Sequence, residues 1–221
     1  MTRKLQAGRR APKSGKTASV VVFLHGYGAD GADLLGLADP LAPHLPDTLF
    51  VAPDAPEPCA GNPFGRQWFS IPWLDGSSDA EAAAGLDLAV ADLNGFLDDL
   101  LEETGVTPSK MAIVGFSQGT MMALHTVPRR ARPLAGIVAF SGRLLQPERL
   151  AAEAISKPPV LLLHGDADPM VPFADMALAA DALVAAGFET YAHVMKGTGH
   201  GIAPDGLSVA LAFLQDCLEK A

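Results

Sequence analysis

Cysteine is scarce in this sequence: its 221 residues include two, Cys59 and Cys217, which lie far apart in the chain. Disulfide-stabilised domains carry several cysteines at close spacing, and structural metal sites use clusters of Cys and His. The sequence has neither pattern. We therefore expect two reduced thiols, no disulfide framework and no metal or organic cofactor bound through cysteine.

Long apolar runs are lacking as well. The longest, such as residues 19–24 and 160–163, are far shorter than the roughly 20 residues that a helix needs to cross a bilayer. The N-terminus is basic and has no apolar stretch before Val20, so it does not resemble a secretory signal. These absences predict a cytoplasmic protein with no stable membrane insertion.

Basic residues are few outside the N-terminus. The chain has 16 Lys and Arg against 25 Asp and Glu, a formal net charge of −9, and residues 1–16 hold six of the basic residues and no acidic one. The remainder therefore carries a formal charge of −15 and should repel nucleic acid and anionic lipid. We expect the basic N-terminal segment, residues 1–18, to be a solvated terminus, with binding of an anionic partner as the alternative.

Short apolar runs recur along the rest of the chain, at residues 19–24, 49–52, 111–115, 137–140 and 160–163. Such runs predict strands buried on both faces, as in a parallel sheet. Helical patterns alternate with them; the clearest begins at Ser78, which has capping-box spacing to Glu81, and ends before Gly105. Further helices are predicted at residues 118–127, 173–186 and 204–218, and a last strand at 188–195. This order predicts a single α/β domain over residues 19–221, with a mostly parallel, doubly wound sheet and helices on both faces.

One predicted connection, residues 53–76, is too long for a plain turn. It contains five of the 18 prolines and both tryptophans. Long connections without regular structure often carry function. We therefore expect this segment to form a wall of a binding pocket.

The strand at residues 111–115 leads through Gly115-Phe116-Ser117-Gln118-Gly119 into a predicted helix. This is the context of the nucleophile elbow of α/β-hydrolases, in which a serine sits in a strained turn between glycines. Ser117 is therefore the candidate nucleophile. The alternative is a Gly-rich turn in which Ser117 simply caps the helix.

A serine hydroxyl needs a base, and the base needs a group that fixes its tautomer. Elbow enzymes supply them in the order Ser, Asp, His. Asp168, in the loop after the strand at 160–163, is the predicted acid, with Asp166 as the alternative that would otherwise bond the turn backbone. His200, between glycines after the last strand, is the predicted base, and His193 is its rival.

The other four histidines are predicted to have no catalytic role. His25 and His164 each end a strand and precede a glycine, which favours a structural role bonded to loop backbone, and His44 and His125 are expected to be ordinary surface or core residues.

Acyl transfer also needs N–H donors for the oxyanion. The amide of Gln118, directly after the nucleophile, and the amide of Tyr27, in the glycine-containing turn after the first predicted strand, are the candidates.

Four segments together resemble the phospholipase/carboxylesterase family, which includes the acyl-protein thioesterases: residues 23–30, 115–119, 164–172 and 199–201. The resemblance implies an α/β-hydrolase fold without a large cap domain and hydrolysis of short- to medium-chain acyl esters or thioesters. It implies no cofactor and no metal, and a possible homodimer, as in many relatives. Thr120 stands where the family often has a second glycine, which puts the helix packing there in question. The family's acyl site is usually walled by the connection at 53–76, so the pocket candidates are Phe64, Trp68, Phe69 and Trp73; packing of these rings onto the core is the alternative.

Other functions fit less well. A metal enzyme built on Asp166 and Asp168 lacks further ligands at suitable spacing, and the segment at residues 14–17 lacks the first glycine of a phosphate-binding loop. The same triad would serve an acyl-protein thioesterase or a lysophospholipase. The non-enzymatic alternative is a catalytically inactive, hydrolase-like binding protein.

Overall fold

The structure is a computed structural model that describes residues 2–220. Its strands are β1 (Ala7–Arg10), β2 (Ser19–Leu24), β3 (Thr48–Pro53), β4 (Glu57–Cys59), β5 (Asn62–Gln67), β6 (Met111–Phe116), β7 (Gly136–Phe140), β8 (Val160–Gly165) and β9 (Thr190–Met195). Its α-helices are α1 (Gly31–Leu35), α2 (Ala38–Leu41), α3 (Pro72–Asp75), α4 (Asp79–Thr104), α5 (Gln118–Thr126), α6 (Pro147–Glu153), α7 (Ala174–Ala185) and α8 (Pro204–Lys220). Short 3-10 helices cover Pro108–Lys110 and Val127–Arg129.

Seven of the strands form one sheet in the order β1-β3-β2-β6-β7-β8-β9. All neighbours in it are parallel except β1, which runs antiparallel to β3. The chain moves outward from β2 to β3 on one side and from β6 to β9 on the other, so the direction of winding reverses between β2 and β6. In open α/β sheets, ligands bind at the carboxyl ends of the strands beside such a reversal.

Helices cover both faces of the sheet. Apolar side chains of α4, α5, α6 and α7 pack on one face, and those of α1, α2 and α8 pack on the other. Alternate residues of β2 serve the two layers: Val20, Val22 and Leu24 face the first, and Val21 and Phe23 face the second. The predicted doubly wound α/β-hydrolase architecture is confirmed, and continuous burial on both sides explains the unbroken apolar runs of its strands.

The prediction of a solvated N-terminal segment is correct only in part: most of residues 2–18 are exposed, but the segment is attached to the body. Residues of β1 pair with β3 from Ala7 opposite Pro53 to Arg10 opposite Phe50. Its cations meet acidic groups of the body: Arg3 Nε lies 2.8 Å from Asp92 Oδ2, Arg9 pairs with Glu103, and Arg10 pairs with Asp39. The charge asymmetry of the sequence is therefore at least partly balanced within the molecule, and the sheet begins before the predicted boundary at residue 19.

The long connection between β3 and α4 contains a hairpin and one helical turn. Strands β4 and β5 pair antiparallel as a separate two-stranded sheet, and α3 follows them. Helix α4 then begins with the predicted capping box between Ser78 and Glu81. The hairpin and α3 together span only residues 57–75 and are too small to form a cap domain, in agreement with the expectation of a hydrolase without a large cap.

Candidate active site

Ser117 lies in a sharp turn between β6 and α5, next to the reversal of the sheet. Its backbone has φ 53° and ψ −114°, a conformation that costs a non-glycine residue energy and is typical of strained functional turns. Its N–H donates to the Phe140 carbonyl oxygen at 2.9 Å, which ties the turn to β7. Ser117 holds the position before the helix, but its hydroxyl makes no capping hydrogen bond. The geometry therefore favours the elbow over a simple helix cap.

Glycine is required at position 119 because the elbow packs directly on β2. A Cβ atom there would lie 1.8 Å from the carbonyl oxygen of Leu24. The next residue, Thr120, does not disturb this packing. Its Oγ1 lies 2.8 Å from the Gly115 carbonyl oxygen and 2.7 Å from that of Phe140, and the absence of a side chain at Gly142 leaves room for it. Thr120 thus adds a polar anchor between the elbow and β7.

Asp168 lies in the loop after β8, and its side chain is fully buried. One carboxylate oxygen accepts the N–H groups of Met170 and Val171 at 2.8 and 3.0 Å, and the other accepts from His200 Nδ1 at 2.8 Å. Burial acts to raise the pKa of Asp168, but these three hydrogen bonds outweigh it and lower the pKa below its ordinary value. The carboxylate therefore stays ionised beside the imidazole.

His200 lies in the loop after β9, with one face of its ring packed on the elbow. The ring centroids of His200 and Phe116 are 4.9 Å apart, and Phe116 immediately precedes Ser117. Asp166, the alternative acid, instead accepts the N–H of Gly197 at 2.6 Å and so fixes the loop that carries His200. Asp166 makes the backbone contact expected of it, and Asp168 holds the histidine.

Of the other histidines, His164 also approaches the predicted acid, with its Nε2 3.3 Å from Asp168 Oδ2. His193, the rival base, lies 2.8 Å from Asp205 Oδ2 at the start of α8. His164 Nε2 contacts the Val171 carbonyl oxygen at 3.0 Å, and His25 Nε2 accepts the Ala55 N–H at 2.9 Å, so both have the backbone contacts expected of structural histidines. His125 is buried in α5, where burial and the neighbouring Arg129 lower its pKa to about 4.

The two amides predicted from sequence as oxyanion donors are those of Tyr27 and Gln118. Within residues 2–220, the N–H groups of Tyr27 and Gln118 donate to no acceptor. The Tyr27 side chain is turned to Cys59; burial and its hydrogen bond with that thiol raise the pKa of the phenol. The side chain of Gln118 is fully buried and bonded to the backbone of the 68–69 segment. In both residues the backbone, and not the side chain, is available to a substrate.

A largely apolar groove of about 240 Å³ is lined by residues of α3, α4 and the first turn of α5. The apolar residues that line it are Phe69, Ile71, Pro72, Trp73, Leu86, Met121 and Leu145. The pocket candidates from sequence therefore separate: Phe69 and Trp73 line the groove, whereas Trp68 is fully buried in the core and Phe64, on β5, is 91% exposed and lies outside it. Met121 also lines the groove and was not among the candidates from sequence, although its position one helical turn after Ser117 could have identified it.

No cluster of three or more His, Cys, Asp or Glu side chains within residues 2–220 could hold a metal ion. None of the helices in this range combines the length and the apolar character needed to span a bilayer.

Comparisons with known proteins agree on one family. The family model described as Phospholipase/Carboxylesterase matches residues 10–218. Among curated proteins, the esterase YpfH of Escherichia coli is 28% identical over 91% of this chain and 84% of its own, and acyl-protein thioesterase 1 of Saccharomyces cerevisiae is 31% identical over 96% of this chain and 98% of its own. Among solved structures, the esterase PE8 is 46% identical and superposes with a TM-score of 0.92, covering 98% of this chain and 100% of its own.

Proposed function

The chain belongs to the phospholipase/carboxylesterase family and is an esterase-type hydrolase, and from that premise we propose that Ser117, His200 and Asp168 hydrolyse carboxylic esters as a catalytic triad. The observation that carries the proposal is the 2.8 Å hydrogen bond from His200 Nδ1 to the buried carboxylate of Asp168, on a ring packed beside the strained turn of Ser117. A histidine that donates through Nδ1 keeps Nε2 unprotonated and available as a base.

The reaction has two halves. Ser117 Oγ attacks the acyl carbon while His200 Nε2 accepts its proton, and the resulting imidazolium is stabilised by Asp168. The carbonyl oxygen becomes an oxyanion that accepts from the amides of Tyr27 and Gln118. His200 then protonates the departing alkoxide, which leaves an acyl-enzyme. Water repeats the sequence with His200 as base and releases the carboxylic acid.

The acyl chain lies in the apolar groove lined by Phe69, Trp73 and Met121. Burial of each methylene group there contributes about 0.8 kcal/mol until the groove is filled. Its limited volume, about 240 Å³, favours short- to medium-chain acyl groups. The preference should appear as a rise and then a plateau in kcat/KM as the acyl chain lengthens.

A thioesterase activity is the second candidate, because acyl-protein thioesterase 1 of Saccharomyces cerevisiae is 31% identical to this chain along nearly its whole length. Thioesters and oxygen esters use the same nucleophile, base and oxyanion donors. Rates on matched series of p-nitrophenyl esters and acyl thioesters, from acetyl to dodecanoyl, measure which leaving group is preferred. They also locate the preferred acyl length.

The triad itself is tested with Ser117→Ala. We expect it to lose ester turnover and labelling by a fluorophosphonate probe, because both need the hydroxyl nucleophile. Ser156→Ala is the matched control and should keep full turnover, since Ser156 is also buried but donates to the Val127 carbonyl oxygen, just after the far end of α5. If Ser117→Ala kept full turnover, the assignment of the nucleophile would be wrong. If the wild-type protein neither labelled nor hydrolysed any member of the panel, it would be an inactive binding protein.

A further inference from the structure

The two oxyanion donors lie on different parts of the chain and must keep a fixed separation. Tyr27 follows β2, whereas Gln118 follows β6. A single segment, residues 62–69, which comprises β5 and the two residues after it, is hydrogen-bonded to both loops. Its contacts are mostly buried and lie beside the proposed reaction centre.

Gln118 binds this segment at one end. Its Oε1 accepts the N–H of Trp68 at 2.9 Å, and its Nε2 donates to the carbonyl oxygen of Phe69 at 2.8 Å. Gln118 has no solvent exposure, so water cannot replace either bond. The residue that offers its amide to the oxyanion thus fixes the 68–69 backbone with its side chain.

Trp68 carries the connection to the other donor. Its indole Nε1–H donates to the carbonyl oxygen of His25 at 3.0 Å, two residues before Tyr27, and the Trp68 side chain is fully buried. The His25 ring is itself held by the N–H of Ala55 on Nε2. The indole therefore fixes the carbonyl of the His25–Gly26 peptide, and His25 Nδ1 lies 2.8 Å from the carbonyl oxygen of Gly26, in the peptide that carries the Tyr27 N–H.

The same segment holds the residue after Tyr27. Gly28 N–H donates to the Arg66 carbonyl oxygen at 2.8 Å, and Asn62 Nδ2 donates to the Gly28 carbonyl oxygen at 2.9 Å. The approach is close enough that a Cβ atom on Gly65 would lie 2.2 Å from that carbonyl oxygen. Tyr27 is thus bracketed on both sides by contacts to one segment.

We propose that the Gln118 side chain and the Trp68 indole are positioning residues that hold the amides of Tyr27 and Gln118 at the separation at which both bind one oxyanion. This inference rests on the proposed triad and oxyanion donors. Because an oxyanion exists only in the transition state and intermediate, loss of the alignment lowers kcat and leaves ground-state binding nearly unchanged. A residue needed only for folding would instead change thermal stability without this kinetic signature.

The test uses two substitutions that remove hydrogen bonds: Gln118→Met, which nearly keeps the side-chain volume, and Trp68→Phe, which keeps an aromatic ring but is smaller. Each is expected to lower kcat about 10- to 100-fold with KM within about twofold of wild type, since misplacement of a donor costs part of what its removal costs. Inhibition by butylboronic acid, whose tetrahedral adduct with Ser117 places an oxygen between the same amides, should weaken by the same factor as kcat. Circular dichroism and thermal unfolding establish that each variant is folded.

Matched controls separate alignment from general effects. Gln215→Met, in α8, removes a glutamine that donates to the His44 carbonyl oxygen at 3.4 Å, and it should leave kcat unchanged. Trp73→Phe alters the groove wall and should change KM more than kcat. Should Trp68→Phe fail to fold, 3-benzothienylalanine at position 68 keeps the shape of the indole and replaces its N–H by sulfur.

The outcomes distinguish this inference from the proposed function. Folded variants with kcat within about twofold of wild type, or with an effect confined to KM, would overturn the positioning role even if Ser117→Ala is inactive. Full turnover by Ser117→Ala would instead refute the proposed function. A loss of kcat without weaker boronic acid inhibition would also count against the alignment.

Discussion

Replacement of Asp168 by Asn should reverse the tautomer of His200. One oxygen of Asp168 accepts two backbone N–H groups, from Met170 and Val171, and the other accepts from His200 Nδ1. In Asp168→Asn the amide oxygen must face the two backbone donors, because the amide NH₂ cannot accept from them. The NH₂ then points at His200 Nδ1, which must become an acceptor. The proton moves to Nε2, and His200 can no longer take a proton from Ser117.

The expected loss is about 10⁴-fold in kcat, or about 5 kcal/mol, as for a triad whose histidine is held in the wrong tautomer. The assay is the rate of acyl-enzyme formation with a p-nitrophenyl ester under single-turnover conditions. Thermal stability should change little, since Asn fills the same space and keeps the two backbone contacts.

Asp166→Asn provides a matched control in the same loop. Its amide oxygen can still accept the N–H of Gly197, so we expect less than about a tenfold loss of kcat. A folded Asp168→Asn variant within tenfold of the wild-type rate, or a larger loss in Asp166→Asn, would refute the assignment of Asp168 and the reasoning from its two backbone donors.

Two further predictions concern stability. The pKa of His125 is about 4 in the folded protein and about 6.5 in the unfolded chain, so folding favours the neutral imidazole. The resulting contribution to the free energy of unfolding is complete above pH 6.5 and is lost as the pH falls towards 4. This difference in pKa corresponds to at most about 3 kcal/mol. After an allowance for solvent screening, we expect the free energy of unfolding of wild type, measured in urea, to fall by about 2 kcal/mol more than that of His125→Leu between pH 7.5 and 4.5. Equal decreases in the two proteins would contradict this prediction. Arg3→Ala should lower the free energy of unfolding by about 2 kcal/mol, because the side chain of its partner Asp92 is only 4% exposed. Arg9→Ala should lower it by less than about 1 kcal/mol, because the side chain of its partner Glu103 is 54% exposed. The reverse order in urea titrations would contradict the assignment of burial.

Of the strands that position the active site, β6 and β8 could be predicted because they are buried on both faces and therefore appear as apolar runs, whereas β9 is a partly exposed edge strand. The ends of β6, β8 and β9 then located Ser117, Asp168 and His200 at one edge of the sheet. Helix α4 was predictable from its ends, since its capping box begins at Ser78 and Gly105 closes it in the left-handed conformation.

The sequence did not reveal β1, because its four residues include two arginines and no apolar run. Its pairing depends on the free edge of β3 and on acidic partners up to 94 residues away. The hairpin of β4 and β5 was missed for a similar reason: its prolines and glycines indicate an irregular loop when the contacts with Gly28 and Ala29 are unknown.

The pocket was only partly predictable. Trp68 and Trp73 lie in the same irregular segment, and no periodicity separates a fully buried ring from one that is 64% exposed. Their different roles follow from tertiary partners, namely the His25 carbonyl oxygen for Trp68 and the guanidinium of Arg143, 5.3 Å from the ring centre, for Trp73.

Strand β1 has a consequence for the order in which the protein can assemble during its synthesis. Residues of β1 are made before their partners in β3, which follow them by 40 to 46 positions. The contact of Arg3 with Asp92 spans 89 positions, so it forms only when most of α4 is available. Since chains grow at about 5–20 residues per second, β1 stays without its partner strand for several seconds, and Arg9, whose partner is Glu103, remains unpaired for longer.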